Sequence, residues 1–207
     1  MNEYTVAVSR EYGSGGREIA SRLATELGIG FYDKSIIKLT AEKSGLSSDY
    51  IEKSEEKTGG GLLFNLRLSA YSGVESLMYY ETPTSDRMFI AQSEVIRELS
   101  ARESCVILGR CADYVLREKR NLIRVFIYAD LEERARRAVE SYGLPDKNPE
   151  AAVRKADKAR GVYYKYYTNR VWGAKENFDL AINSSFSGVD GAVAVIKTLL
   201  REKGFAK

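Results

Sequence analysis

Short apolar runs, each bounded by polar or turn-forming residues, are the clearest pattern along this chain. A run of this length is too short for a core helix and is typical of a buried β-strand. The first, third and fourth runs are almost continuously hydrophobic, which indicates burial on both faces, as in a parallel sheet. The five runs are Tyr4–Ser9, Ile29–Asp33, Cys105–Gly109, Leu122–Ala129 and Phe178–Asn183.

Helical patterns separate these runs. After the first run, apolar residues recur at four-residue spacing and stop before Gly28, which predicts a helix with a glycine C-cap. After the fourth run, Asp130 and Glu133 have the spacing of an N-cap and its capping-box partner. The spaced apolar residues of the first helix are Ile19, Leu23 and Leu27.

A last helix is predicted from Val189 to Lys203, with apolar residues on one face and Gly204 at its end. Strands that alternate with helices predict a βαβ architecture. The sequence therefore predicts an α/β fold in which helices flank a five-stranded parallel sheet.

Two stretches interrupt the alternation. Residues 34–104 contain no convincing strand, and within them Thr58–Gly61 predicts a flexible break and Phe89–Arg102 a helix. Residues 138–175 are polar, basic and rich in tyrosine. We interpret both stretches as helical insertions over one edge of the sheet, within a single domain that spans residues 1–207.

The composition narrows the chemistry. The 207 residues, of which 44% are hydrophobic and 3 are prolines, are enough for one packed domain. The chain has no histidine, which excludes Ser-His-Asp and Cys-His triads, HExxH metalloproteases and histidine-dependent zinc or haem sites. Any chemistry must therefore use Arg, Lys, Asp, Glu, Tyr, Ser and backbone amides.

Charge and cysteine content indicate the setting. The 32 Lys and Arg against 29 Asp and Glu give a formal charge of +3, which by itself indicates neither a nucleic-acid nor a membrane partner. Cys105 and Cys111 match neither a CxxC metal site nor a disulfide framework and favour a reducing compartment. We interpret Cys105 as core filling and leave Cys111 unassigned. With no secretory leader pattern and no run of about 18 apolar residues, the sequence predicts a cytoplasmic protein.

A glycine-rich turn, Ser9 to Glu18, follows the first strand directly and opens the first helix. Its glycines allow backbone N–H groups to converge on an anion, and the helix N-terminus adds a favourable dipole. The turn is either a tight strand-to-helix connection or a phosphate-binding loop, and its position favours the loop. The candidate phosphate ligands are Gly13, Ser14, Gly15, Gly16 and Arg17.

The turn matches the P-loop template GxxxxGK[ST] only in part. In one alignment, Arg10 replaces the first glycine and Gly16 replaces the lysine. In the other, Glu11 replaces the first glycine and Arg17 replaces the lysine. Neither alignment keeps the lysine or puts Ser or Thr in the usual magnesium position, so Arg17 becomes the candidate cation.

These residues resemble the cytidylate kinase-like group of P-loop kinases, in the branch whose loop has a Tyr-Gly-Ser-Gly-Gly sequence in place of the usual Walker A motif. The resemblance covers essentially the whole chain and implies a three-layer, P-loop kinase-like fold. The motifs that carry it, in order, are Ser9–Ala20, Phe31–Lys34, Ile107–Asp113, Ala129–Arg137, Trp172–Gly173 and Asp179–Asn183.

The resemblance implies phosphoryl transfer from ATP, with Mg²⁺ bound through waters and no protein metal ligand, to a small acceptor such as CMP or dCMP. Gly109–Arg110 is similar to the Gly-Arg-Asp segment that helps bind the acceptor in cytidylate kinases, although Cys111 replaces the aspartate; a surface salt bridge is the alternative for the arginine. Asp33 lies where the acceptor segment begins, and a helix N-cap is its alternative role. The resemblance also implies acceptor binding by residues 34–104 and a lid at residues 134–170.

The lid segment carries paired charges. Arg154, Asp157 and Arg160 share roughly one helix face, where Asp157 would orient the arginines toward phosphates or the three would form a solvated ion-pair face. The predicted phosphate-neutralising residues are Arg17, Arg110, Arg154 and Arg160, and the predicted acceptor-binding residues are Asp33, Arg110 and Asp157.

Other interpretations stay open. Loss of the lysine is compatible with a nucleotide-binding regulatory protein that does not catalyse transfer. The basic, tyrosine-rich residues 154–170 also fit single-stranded nucleic acid, although a kinase lid needs the same composition. The tyrosines of residues 163–167 indicate core or interface packing ahead of base stacking. Apolar side chains within residues 62–71 predict a homodimer contact or closure over the acceptor.

Overall fold

The computed structural model describes residues 3–44, 84–145 and 147–206. The predicted break at 58–61 and the apolar patch at 62–71 lie outside these residues. The strands are β1 (Thr5–Arg10), β2 (Gly30–Tyr32), β3 (Cys105–Leu108), β4 (Leu122–Tyr128) and β5 (Leu180–Asn183). The helices are α1 (Gly16–Leu27), α2 (Ser35–Ser44), α3 (Thr84–Arg102), α4 (Ala112–Val115), α5 (Leu131–Tyr142), α6 (Pro149–Thr168) and α7 (Ser184–Glu202), with a 3₁₀ helix at Lys175–Asn177.

The five strands form one parallel sheet in the order β2-β3-β1-β4-β5. β1 is the central strand, because Thr5 pairs with Cys105 of β3 on one side and with Leu122 of β4 on the other. The residues of β1 from Thr5 to Ser9 are buried, as expected for a strand that is covered on both faces. The prediction of a five-stranded parallel sheet with flanking helices is confirmed.

The main core lies between the sheet and the helices α1 and α7. Ile19 and Leu23 of α1 and Ile196 and Leu200 of α7 are fully buried, and they cluster with apolar residues of β1, β3 and β4 such as Val8. The stripes predicted for both helices therefore face the sheet. Gly28 ends α1 in the left-handed region, as predicted.

One predicted helix start and one predicted capping hydrogen bond need correction. α7 begins at Ser184, where the Asn183 side chain accepts a hydrogen bond from the N–H of Ser185, and Gly188 interrupts the helix with a φ of 65°. The apolar periodicity marked only the part after this kink. Asp130 is the N-cap of α5, but its side chain makes no capping hydrogen bond and accepts instead from Asn183 at 3.3 Å.

The chain divides into two compact units, one formed by Met1–Asp33 with Ile96–Lys207 and the other by Lys34–Val95. The sheet belongs to the first unit. In the second, Ile37 and Met88 belong to a small apolar cluster, and the described residues of the unit are helical, as predicted. No helix in the described ranges has the length and apolar character that a membrane crossing requires.

Candidate active site

The loop between β1 and α1 lies at the carboxyl edge of the parallel sheet, where ligands bind in open α/β folds. Gly13 and Gly15 have φ values of 80° and 73°, a region that side chains with a Cβ rarely adopt. The first hydrogen bond of α1 joins the N–H of Ile19 to the carbonyl of Gly15. Within the described part of the chain, the N–H groups of Gly13, Gly15 and Arg17 donate to no protein acceptor. These N–H groups and the helix dipole form a candidate site for an anion.

Ser14 anchors the loop to the core. Its side chain is fully buried, and its Oγ donates to the carbonyl of Glu11 at 2.9 Å. Its own carbonyl accepts a hydrogen bond from Ser184 Oγ at 2.6 Å. The Ser14 side chain therefore fixes the shape of the loop, while the neighbouring glycine amides face the anion site.

Arginines from α5 and α6 hold the carbonyl side of the loop. The three hydrogen bonds run from Arg160 to the carbonyl of Arg10 at 3.0 Å, from Arg134 to that of Tyr12 at 3.5 Å and from Arg137 to that of Gly13 at 2.7 Å. A carbonyl and the following N–H point in opposite directions across a trans peptide. The bond from Arg134 to Tyr12 therefore turns the N–H of Gly13 away from α5.

Asp157 organises these arginines. One of its oxygens accepts a hydrogen bond from the N–H of Tyr12 at 2.7 Å and lies 3.5 Å from Arg160, and the other pairs with Arg134. Glu11 adds a second carboxylate, 3.3 Å from Arg134 Nε. Burial raises the pKa of Glu11, and the N–H of Ala129 and the Arg134 guanidinium partly offset that rise. The charge network therefore fixes the loop from the α5 and α6 side.

The three charged residues that were predicted to share one face of α6 have different surroundings in the structure. Asp157 and Arg160 are brought to the loop, where they contact its backbone. Arg154 is exposed on α6. The aromatic residues also divide: Tyr164 is buried and donates a hydrogen bond to Asp113 at 2.6 Å, whereas Tyr166 is half-exposed. The buried tyrosine agrees with the packing interpretation.

Arg17 and Asp33 meet beside the loop. Arg17 Nε lies 2.7 Å from Asp33 Oδ2, with side-chain exposures of 65% and 13%. Arg17 is the second residue of α1, and Asp33 follows β2 directly. Two residues that the sequence assigned to different ligands are thus one ion pair.

The segment after β3 has an unusual backbone. Gly109, Arg110 and Cys111 have φ values of 74°, 56° and 53°. Non-glycine residues in this region cost about 1–3 kcal/mol each and are concentrated at functional sites. Cys111 is buried, and burial raises the pKa of its thiol far above the usual range, which disfavours the reactive thiolate. Arg110 is held by this strained turn at the same sheet edge as the loop.

The residues do not fit a protein-built magnesium site. The residue after Gly16 is Arg17, which brings a cation where the P-loop template has a hydroxyl. The described ranges contain no cluster of three or more Cys, Asp or Glu residues that would hold a metal ion. We therefore treat Mg²⁺ as part of a nucleotide substrate and assign it no protein ligand.

The sequence model of the cytidylate kinase-like family matches residues 5–186, which include the loop and the helices that hold it. This chain belongs to the cytidylate kinase-like family. It is 24% identical over 196 residues to the cytidylate kinase of Ignicoccus hospitalis (strain KIN4/I / DSM 18386 / JCM 14125), a match that covers 94% of this chain and 98% of that protein.

Solved structures agree on the fold of this family member. An uncharacterized protein from Eubacterium ventriosum ATCC 27560 has a TM-score of 0.69 at 26% identity, over 96% of this chain and 99% of its own. The shikimate kinase of Acinetobacter baumannii has a TM-score of 0.54 at 18% identity, with 97% and 95% covered. A gluconokinase from Sinorhizobium meliloti 1021 has a TM-score of 0.56 at 16% identity, and the match covers 98% of this chain and 96% of the gluconokinase. The last two show the fold alone, which is that of P-loop kinases.

Three residues that hold the glycine loop of this family member were not predicted from the sequence to do so. Ser184 holds the loop from the far end of the chain, and Arg134 and Arg137 hold its carbonyls. The two arginines stood within the Ala129–Arg137 motif, and their three-residue spacing was a signal that they share a helix face. Ser184 gave no comparable signal, because only the fold brings it to Ser14.

Proposed function

We propose that this protein transfers the γ-phosphoryl group of ATP to a small acceptor, with CMP and dCMP the first acceptors to test. The observation that carries the proposal is the loop itself: unpartnered glycine amides at a helix N-terminus, at the carboxyl edge of a parallel sheet. The cytidylate kinase-like family and the kinase fold support it. Residues 34–104 are proposed to select the acceptor, and residues 134–170 are proposed to act as the lid.

The proposed donor site is the backbone of the loop. The N–H groups of Gly13, Gly15 and Arg17 would bind phosphate oxygens, as helix N-termini do. Those of Ser14 and Gly16 already donate to the Glu11 carbonyl and to Ser14 Oγ. The arginines of α5 and α6 hold the loop carbonyls on the other side, so these amides are oriented before a nucleotide binds. Ser14 would contribute by fixing the shape of the loop, since its hydroxyl is also bonded to Glu11.

The proposed acceptor site is built around Arg110, which the strained turn after β3 presents at the same edge. Arg17 and Asp33 form the neighbouring ion pair. A guanidinium binds phosphate bidentately and stays protonated. A monophosphate acceptor is already anionic, so the reaction needs no general base, and catalysis consists of positioning and cationic stabilisation. Arg154 and Arg160 would add positive charge from α6, and Asp157 would orient Arg160.

Coupled kinase assays test the proposal. ATP and Mg²⁺ would be combined with each nucleoside monophosphate, and with shikimate and gluconate because kinases of the same fold carry those names. We expect turnover with one preferred monophosphate. Arg110→Met should raise KM for that acceptor, while Arg22→Met, which removes an ion-paired arginine on the outer face of α1, should not. If none of the acceptors is phosphorylated, the proposal is refuted.

A regulatory nucleotide-binding protein is the second candidate, and the glycine in the lysine position favours it. ATP binding by calorimetry together with undetectable transfer would identify this case. Single-stranded nucleic-acid binding is less favoured, because Arg160 and Tyr164 of the basic stretch contact the protein's own loop and core. We propose a cytoplasmic location, where ATP is available.

A further inference from the structure

The side chain of Arg10 fills the space in front of the loop residue that should carry the P-loop lysine. Arg10 is the last residue of β1 and is half-buried. A Cβ placed on Gly16 would lie 2.5 Å from Arg10 Cβ, 3.0 Å from Arg10 Cγ and 3.3 Å from Ile127 Cβ. Contacts this short are prohibitive for a side chain. Position 16 is therefore closed to any residue except glycine while Arg10 is present.

The backbone of Gly16 does not itself require glycine. Gly16 opens α1, and its φ is not among the positive values that occur at Gly13 and Gly15 on either side of Ser14. Those two glycines are needed for conformation. Gly16 is needed because a larger residue would clash with the Cβ and Cγ of Arg10. The presence of arginine at position 10 therefore requires glycine at position 16.

The guanidinium of Arg10 reaches the end of β3. A Cβ on Gly109 would overlap Arg10 Nη1, so the arginine side chain extends from the first turn of α1 to the turn that holds Arg110. The carbonyl of Arg10 is fixed by Arg160 at 3.0 Å. The charge thus lies beside Gly109, the residue before the proposed acceptor arginine, while the start of the side chain lies against Gly16 of the proposed donor loop.

This steric relation decides between the two alignments with GxxxxGK[ST]. If Gly16 occupies the lysine position, Arg10 occupies that of the first glycine. The chain then has a cation where the template has glycine, and glycine where the template has the cation. We propose that Arg10 supplies the phosphate-binding charge of this loop in place of the P-loop lysine, contacting the triphosphate of the donor nucleotide. The assignment rests on the proposed function, in that it needs a nucleotide triphosphate at the loop.

The chemistry suits the exchange. The lysine of a P-loop reaches the β- and γ-phosphates of the nucleotide. A guanidinium can bridge two phosphate oxygens with parallel N–H bonds and stays charged at any physiological pH. Because Arg10 approaches from the strand and not from the helix, its charge also lies near Arg110, where transferring and accepted phosphates would meet.

Variants that remove the positive charge of Arg10, or move it from position 10 to position 16, test the proposal. Arg10→Met should lower kcat by about 100-fold or more, the scale for loss of one preorganised charge-stabilising group, and should weaken Mg·ATP binding by about 10-fold in calorimetry. Gly16→Lys alone should fail in both assays because its Cβ meets Arg10. The double variant Arg10→Gly with Gly16→Lys restores the first glycine and the lysine of the template and opens the space. It should therefore bind Mg·ATP more tightly than Arg10→Met and turn over about 10-fold faster than that variant.

The outcomes separate this inference from the proposed function. Arg22→Met is the matched control, and thermal melting of every variant identifies a folding defect. If Arg10→Met binds Mg·ATP and turns over as the wild type does, the Arg10 assignment is overturned while the kinase proposal stands. If the wild type binds Mg·ATP without transfer, and Arg10→Met weakens binding while the double variant restores it, the kinase proposal fails and the Arg10 assignment stands. A wild type that binds no nucleotide overturns both.

Discussion

Removal of the Asp157 carboxylate should destabilise the sheet-bearing unit far more than removal of a surface carboxylate. Asp157 accepts a hydrogen bond from the N–H of Tyr12 at 2.7 Å and pairs with Arg134. The side chains of Asp157 and Arg134 are only 14% and 9% exposed. Asp157→Ala therefore leaves a buried guanidinium short of counter-charge and a loop N–H without its acceptor.

The magnitude follows from burial. Breaking a buried ion pair by removing one partner costs about 3–5 kcal/mol, and in a protein of this size each kcal/mol lowers Tm by about 2–4 °C. We expect Asp157→Ala to lower Tm by about 6–20 °C. The matched control is Glu133→Ala, which removes an exposed partner of Arg136 at 2.7 Å with side-chain exposures of 42% and 54%. Solvent screens such an exposed pair, so its loss should leave the stability almost unchanged.

Urea unfolding followed by tryptophan fluorescence measures the difference. Trp172 is the single tryptophan of the chain, and its ring lies 5.4 Å from that of Phe126 in β4, so it reports on the sheet-bearing unit. Asp157→Asn keeps an oxygen acceptor for Tyr12 and should lose less than Asp157→Ala. A loss of less than about 1 kcal/mol for Asp157→Ala, no larger than that of the surface control, would refute the reasoning.

Two further predictions concern the loop and a buried acid. Gly13→Ala should destabilise the protein and weaken nucleotide binding, because φ is 80° and the new Cβ would overlap the backbone of Arg134. Gly143→Ala, with φ of 68° and no atom within 4 Å of the new Cβ, should lose only about 1–2 kcal/mol of stability, through backbone strain alone. Equal melting temperatures for the two variants would contradict the predicted clash at Gly13. Burial raises the pKa of Asp113 above its ordinary value of 3.8, so the folded state keeps a proton that the unfolded state has lost. The free energy of unfolding should then fall as pH rises from about 3.8 through the folded pKa, and Asp113→Asn should flatten that fall in urea titrations at several pH values; an unchanged slope would count against the assignment.

The sheet was predictable from sequence because its central strands, β1 and β3, are buried on both faces. Apolar runs such as Tyr4–Ser9 and Leu122–Ala129 have no other stable environment in a chain of this size. The helix stripe that includes Ile19 and Leu23 was predictable for the same reason. Asp130 is the N-cap of α5, but the hydrogen bond of the predicted capping box is not formed, because its side chain accepts from Asn183 instead.

The candidate site was predictable only where its residues are adjacent in sequence. The glycine loop could be located, because conformation and helix start are local properties. The roles of Arg10 and Arg137 could not, because they depend on which elements lie beside the loop after folding. The same limit applies to the arginines of α6. Their charge and spacing can be read from the sequence, but the hydrogen bond from Arg160 to a backbone carbonyl cannot.

The strand order has a consequence for synthesis of the protein. β1 precedes both of its neighbours in sequence, and its first residue pairs with Cys105 in β3 and Leu122 in β4. At about 5–20 residues per second on the ribosome, the hundred residues that separate these partners take about 5–20 s to emerge. During that interval the central strand, which is buried in the folded protein, has no neighbour, and this favours its capture by a chaperone. The glycine loop is thus made before the two strands that flank β1, and it acquires its shape only after they have emerged.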